Sequence, residues 1–512
     1  MSEREYIVTL KDGVDKDQFN AEMTASKGVG VIPPRAVDVV ELRPGNKRNT
    51  HYALNETEVK ILLLDSRVEA IEIPPEQRDD IEAILIGTQS GDFSKYSLSS
   101  GNYLNWGMRR CIDETNNYSG SSISGDYEYN LDGTGVDVVI VDSGVQKDHP
   151  EFNDENGVSR YQEVDWYDLG GSNWNAYTQD SIFHRDVVGH GTHVASTVAG
   201  LTYGWAKNAH VYSMKLHDLS ADPLHPFANS GILAGRAFEI IKDWHIRKND
   251  PNDSIYTGRP TVVNNSWMYS ARFENITGGN YRGVNWTGTS ADTSKGMVGG
   301  GNRFGVRSAS TQADVEQMID AGVHMVVASG NSKQKIDVVG GVDYNNYFTR
   351  SDYPYIEYYH RGGTPGTTNG LWVGNVSVGI YSDGLEQKYG SSETGPAVNI
   401  YAPGTWIRGA ISNTNQYSEN TPYYLNSNFK QATMTGTSMA SPQVCGVVAC
   451  ALQAHPNMTP AEMRDMVIGL AAKDQLTDGG SDADYTVERY LLGGNNRYLF
   501  FPYSRPFALT IT

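Results

Sequence analysis

The sequence predicts an α/β protein whose sheet is parallel with helices on both faces, preceded by a small α+β domain. Three observations lead there. From residue 136 onward, near-continuous apolar runs alternate with helical patterns, the order expected of strands buried on both faces and joined by crossover helices. Residues 1–76 carry a shorter alternation of their own, closed by the doublet Pro74-Pro75, which stops any regular element. The chain has 512 residues, 39% of them apolar, enough to fill one large core and one small one.

In the first domain, EYIVTL (5–10) reads as a strand and DKDQFNAEMTASK (15–27) as a helix starting near Asp15. VDVVELR (37–43) is a second strand, ETEVKILLLDSR (56–67) a helix with Val59, Leu62 and Leu63 as its apolar residues, and VEAIEI (68–73) a third strand. From 76 to about 130 the composition turns to Asp, Ser, Gly, Asn and Tyr around one apolar cluster, IEAILIG, and reads as a linker. Strands follow at VDVVIVD (136–142), HVYSMKL (210–216), TVVNNSW (261–267), VHMVVASG (323–330) and LWVGNVSVG (371–379). Helices are read at HGTHVASTVAG (190–200), ILAGRAFEIIKDW (232–244), DVEQMIDAG (314–322) and after Ser438. The Gly-, Asn- and Tyr-rich stretches 270–310 and 332–370 read as long surface loops.

Bulk properties exclude several classes. The net charge is -19, with 60 acidic residues spread along the chain, so a polyanion is repelled and no nucleic-acid partner is expected. No stretch reaches the ~20 apolar residues that cross a bilayer, and the N-terminus lacks a basic segment followed by an apolar run. No membrane association and no secretion signal are therefore expected, which suits an intracellular or virus-encoded protein, or one released by another route. Three cysteines, Cys111, Cys445 and Cys450, make no disulfide framework and read as small core residues.

Three polar residues stand where apolar elements stop. Asp142 closes the strand VDVVIVD, His190 opens a helix, and Ser438 opens another. Ligands of parallel sheets bind at the carboxyl ends of the strands. Amide hydrolysis by serine needs a base, a carboxylate to orient it, and donors for the oxyanion. Asp142, His190 and Ser438 supply the first two and the nucleophile, and the free N–H groups of the helix start favour the developing charge. Asn331, just past the strand VHMVVASG, supplies a further donor. Taken alone, Ser438 reads first as a helix-capping serine, although Thr437 could take that task. His184, Asp186, His190 and His193 together suggest a metal, but a zinc there would consume the base that Ser438 needs.

The segments DSGVQKDHPEF, GHGTHVAS, VVASGN and GTSMASP resemble, in order, the four signatures of the subtilisin-like serine proteases. NWGMRR (105–110), TYGWAKNA (202–209), VNIYAPG (398–404) and GGNNRYLFF extend the likeness over residues 104–503, and TYGWAKNA is similar to the proteinase K branch. The resemblance implies a serine endopeptidase acting on proteins or peptides, with Asp142, His190 and Ser438 as triad and Asn331 with the Ser438 N–H as oxyanion hole. It assigns the substrate-binding walls to Ser266, Trp267, Met268, Tyr269, Ala328, Ser329 and Gly330. Residues 1–76 are similar to the family's propeptide, an intramolecular inhibitor, which makes 77–103 a linker with a processing site and 104–512 the catalytic domain of a zymogen. No cofactor is implied for catalysis. Structural Ca2+, which relatives carry, has no ligand set legible here.

One departure stands out. Where the family has two glycines after an apolar residue, this chain has Met268 and Tyr269. Side chains there narrow or reshape the pocket, and the insertion 332–370 follows Asn331 directly. A second reading therefore keeps the fold as a binding or structural protein with a blocked pocket.

Overall fold

The computed structural model describes residues 3–11, 13–25, 35–42, 48–73, 87–90, 92–93, 103–116, 123, 125–169, 179, 183–216, 219, 231–232, 234–352, 355–380, 383–418, 420–479 and 490–502. The chain divides into two compact units, Met1–Leu85 and Ile86–Thr512.

In the first unit the elements are β1 (Arg4–Leu10), α1 (Lys16–Thr24), β2 (Val39–Leu42), β3 (Asn49–Leu54), α2 (Glu56–Leu62) and β4 (Val68–Glu72). The strands form one antiparallel sheet in the order β2-β3-β1-β4, a split βαβ arrangement. Asp15 caps α1 by accepting from the Gln18 N–H at 3.0 Å. Asn55 and Glu58 form a reciprocal capping box on α2. Val8, Leu10, Phe19, Met23, Tyr52, Leu54 and Leu62 make the core. Strand β3 corrects the sequence reading, which passed over NTHYAL. Its alternation is masked because the polar Thr50 and His51 are buried too.

The second unit is built on a nine-stranded sheet. Its central strands are β7 (Asp137–Asp142), β8 (His210–Lys215), β9 (Thr261–Asn265), β14 (His324–Ala328), β17 (Leu371–Ile380) and β19 (Ile400–Pro403). They run parallel in the order β8-β7-β9-β14-β17-β19. Short strands β24 (Arg497–Tyr498) and β23 (Ala472–Lys473) follow at one edge, and β18 (Glu386–Lys388) pairs with β17. Both faces are covered. Val138 and Ile140 pack into the core that includes α5 (His190–Ala199) and α8 (Thr437–Ala454). Val139 and Val141 point into the other, with α6 (Ala234–Asn249) and α7 (Ala309–Asp320). That alternation along one strand explains why it reads as an unbroken apolar run.

Two expectations are corrected. Helix α3 (Trp106–Cys111) lies in the 76–130 stretch whose composition alone reads as linker, beyond the 77–103 segment that the resemblance gives that task, and Trp106, Met108 and Cys111 are fully buried while Arg110 makes a buried ion pair with Glu386 at 2.6 Å. Of residues 77–103, only 87–90, 92–93 and 103 are described, and β5 (Gly87–Gln89) pairs with β6 (Tyr127–Tyr129). The processing-site expectation falls largely outside the described residues. The two long insertions are also more than loops. β11 (Ile276–Tyr281), β12 (Val284–Thr287), β15 (Tyr347–Arg350) and β16 (Glu357–Tyr358) form one sheet, and β10 (Ser270–Arg272) pairs with β13 (Arg303–Gly305). Phe273, Ile276, Met297, Phe304, Phe348 and Tyr359 share a small core. Arg282 in one insertion grips Asp343 in the other at 2.7 and 2.8 Å. Among the described residues no helix is long and apolar enough to cross a membrane.

Candidate active site

Asp142 ends β7 and His190 opens α5, and Gly191 is what lets them meet. A Cβ on residue 191 would lie 2.1 Å from the Gly144 carbonyl oxygen and 3.2 Å from the Asp142 Cβ, so a larger residue would push the helix off the strand end. His190 Nδ1 sits 2.8 Å from Asp142 Oδ1 and 3.1 Å from Oδ2. The carboxyl is 1% exposed and also accepts from the Ser143 N–H at 2.7 Å. An ionised carboxylate only accepts, so the imidazole proton belongs on Nδ1 and Nε2 keeps its lone pair. Burial would lower the His190 pKa, but the charge and hydrogen bond of Asp142, with Asp186 adding to them, raise it above the usual imidazole value.

The turn ahead of α5 is organised by Asp186, itself buried. Its Oδ1 accepts from the N–H groups of Val188 (3.0 Å) and Gly189 (2.8 Å) and from Ser143 Oγ (3.0 Å). Its Oδ2 accepts from the Thr192 N–H (2.9 Å) and hydroxyl (2.7 Å). The neighbouring histidines have structural tasks. His193 Nε2 lies 3.0 Å from the Ile407 carbonyl and His184 Nε2 lies 3.1 Å from that of Val164. Burial pulls their pKa values down to about 3 and about 4, so both are neutral. Among the described residues no group of three or more His, Cys, Asp or Glu could hold a metal ion.

At Ser438 the helix is capped from outside. Gly436 at the N-cap offers no side chain, and Asn331 Oδ1 instead accepts from the Thr437 N–H at 2.9 Å and hydroxyl at 3.2 Å. That arrangement spends the carbonyl of the Asn331 amide and releases Ser438 from capping. Asn331 itself is exposed. Pro442 has no N–H to give the Ser438 carbonyl four residues back, and Ser266 Oγ donates to that carbonyl at 2.9 Å. Ser266 Oγ in turn accepts from Asn264 Nδ2 at 2.9 Å and lies 3.0 Å from Ser441 Oγ. The Ser438 hydroxyl donates to the Ser266 main-chain carbonyl at 3.1 Å. In this conformation its proton is therefore directed to that carbonyl.

Ser438 lines two cavities. A cleft of about 470 Å³ is shared by His190, Asn331 and Ser438 with Trp406, Tyr417 and Met434. A second cavity of about 160 Å³, which Ser438 also lines, is walled by Ser266, Trp267, Met268, Ala328, Gly330 and Asn331 together with Phe304, Gly305 and Glu393. A hollow of about 520 Å³ near His245, His324 and Arg464 lies at the amino ends of β9 and β14, away from these residues and from the edge where such sheets bind ligands.

The Subtilase family (Peptidase_S8) model matches residues 133–487. The chain belongs to the subtilase family. It is 25% identical over 359 residues to Subtilisin-like protease 8 of Arthroderma benhamiae, covering 68% of this chain and 53% of that protein. It is 26% identical over 373 residues to Alkaline serine exoprotease A of Vibrio alginolyticus, covering 73% and 48%. The chain thus spans about half the length of these curated relatives. A solved structure of a cold adapted subtilisin-like serine proteinase aligns at 22% identity with a TM-score of 0.47, over 78% of this chain and 98% of that one.

Of the wall residues expected for this subtilase, Ser266, Trp267, Met268, Ala328 and Gly330 line the smaller cavity. Tyr269 does not. Its ring meets Trp267 edge-on with centroids 5.5 Å apart, and its N–H donates to the Thr364 carbonyl. Ser329 is buried, its N–H donating to the Val373 carbonyl at 2.9 Å. Sequence reasoning passed over Glu393, which sits in SSETG with neither periodicity nor a motif to mark it.

Proposed function

We propose that this subtilase is a serine endopeptidase of proteins or peptides, with Asp142, His190 and Ser438 as its triad. The observation that carries the reading is the 2.8 Å pairing of His190 Nδ1 with a buried Asp142, in a cleft that also contains Ser438 and Asn331. Rotation about the Ser438 Cα–Cβ bond turns its hydroxyl from the Ser266 carbonyl toward His190 Nε2, and such contacts commonly tighten only once substrate is bound. Nε2 then takes the hydroxyl proton as Oγ attacks the carbonyl carbon, Asp142 stabilises the imidazolium, and His190 returns the proton to the leaving amine. The Ser438 N–H and Asn331 Nδ2 donate to the oxyanion. Met268 shares the smaller cavity with open volume of about 160 Å³, which favours a reshaped pocket over a blocked one.

The chain is synthesised, on this reading, as a zymogen whose residues 1–76 inhibit the catalytic domain until a bond in 77–103 is cut by the protease itself. Mass spectrometry of the purified chain tests both halves. Wild type is expected to appear cut in that segment and Ser438→Ala to stay whole; intact wild type, or equal cleavage of both, contradicts self-processing. On a peptide substrate, Ser438→Ala is expected to lose on the order of 10⁶-fold in kcat, a figure known for subtilisin rather than one obtained from this geometry.

A further inference from the structure

Beside Ser438, the smaller cavity has an acid in its wall. Residues 391–394 run alongside the segment after β14, with the Glu393 N–H donating to the Gly330 carbonyl at 2.9 Å and Lys333 N–H to that of Ser391 at 3.0 Å. This pairing brings residue 393 against the pocket wall. Glu393 is 1% exposed, and among the described residues its Oε2 has no hydrogen-bond partner. Gly330, at φ +113°, makes the room. A Cβ there would lie 2.6 Å from the Glu393 Cδ and 2.7 Å from the Met268 Cε, so the carboxyl and the thioether methyl lie side by side where another residue would put its side chain.

The position of this cavity assigns it a task, given the protease reading on which the inference rests. His190 delivers a proton to the leaving amine, so the leaving half of the substrate lies in the cleft it shares with Ser438. The side chain on the acyl side of the scissile bond, P1, is left with the smaller cavity, which Ser438 lines and His190 does not. We propose that Glu393 makes this cavity a pocket for a cationic P1 residue, lysine or arginine. A buried carboxyl without a counter-ion is expensive to keep charged, and an incoming ammonium or guanidinium provides both the charge and the donors it lacks. Burial pushes the Glu393 pKa up to about 8, with only the Ser332 N–H pulling it down, so the empty pocket holds a neutral acid that gives up its proton to solvent water when the cation enters. Met268, unbranched and flexible, can swing off the carboxyl to admit it. Among the described residues lining the cavity, Glu393 alone carries an ionisable carboxyl or amine.

The test compares peptide substrates of the purified chain that differ only at P1, arginine against citrulline and lysine against norleucine. In wild type the cationic member of each pair is expected to have the higher kcat/KM, on the order of 100-fold, and in Glu393→Gln that ratio should fall close to one. Using the ratio cancels any general loss in the variant, and should the variant fail to fold, the wild-type ratio decides alone. Equal rates for charged and neutral P1 in wild type, or a ratio that survives Glu393→Gln, overturn the pocket assignment and leave the protease reading standing. Hydrolysis of no substrate, together with no acylation by a fluorophosphonate, removes both.

Discussion

Two buried carboxyl groups, one in the turn before His190 and one in a wall of the smaller cavity that Ser438 lines, are treated in opposite ways. Asp186, in the turn before His190, receives five hydrogen bonds, from the Val188, Gly189 and Thr192 N–H groups and the Ser143 and Thr192 hydroxyls. Glu393, in the wall beside Gly330, has an oxygen with no hydrogen-bond partner among the described residues. Burial raises the pKa of both. A carboxyl whose oxygens are all engaged is part of the frame that aims the imidazole, whereas one left short of donors is an acceptor held in reserve for something that enters.

That contrast can be broken most directly at Asp186. Asp186→Ala strands its donors and loosens the turn that carries His190, so a loss on the order of 3 kcal/mol in unfolding free energy is expected, read by denaturant titration together with a fall in kcat. An unchanged midpoint would mean that the turn holds itself. A second effect follows from the frame's grip on the imidazole. His190 acts as a base only when neutral, and its pKa is raised, so kcat/KM should drop about tenfold per pH unit below a midpoint above about 6.5. A flat profile, or a midpoint below that value, contradicts the assigned charges. The smallest effect sharpens the other side. The folded-state pKa of Glu393, about 8, lies above the ordinary carboxyl value of about 4.3, so its contribution to stability is fully present below the lower value and is lost as pH rises to the higher. Glu393→Gln does not titrate and should melt a few degrees above wild type at pH 8 while matching it near pH 4, as read by calorimetry. An equal offset at both pH values would show that the carboxyl is not held neutral.

Much of this was legible in the chain itself because the chemistry sits at ends of elements. VDVVIVD is unbroken apolar from 138 to 141 since Val138 and Val139 face different cores, and it closes on Asp142, the carboxylate paired with His190. The starts of α5 and α8 were equally plain, and Asn331 followed from its place beyond β14. What the sequence hid depends on pairings between distant segments. The small sheet of the insertions draws β11 and β15 together across some seventy residues, with Gly278 and Gly279 in a strand where composition argues for a loop. Glu393 reaches the pocket only through the backbone pairing with Gly330, and no local pattern announces it. The role of Ser266 in replacing the donor that Pro442 lacks is likewise visible only in three dimensions.

The central claim is that His190, oriented by Asp142, activates Ser438. The most direct measurement is the rate of acylation by a fluorophosphonate, with the modified residue located by peptide mass spectrometry, in wild type and in His190→Ala across pH. Labelling confined to Ser438, rising with pH through the His190 titration and falling by orders of magnitude in His190→Ala, is the expected result. Labelling of Ser438 at the same rate in both proteins, or none in wild type, would contradict the account.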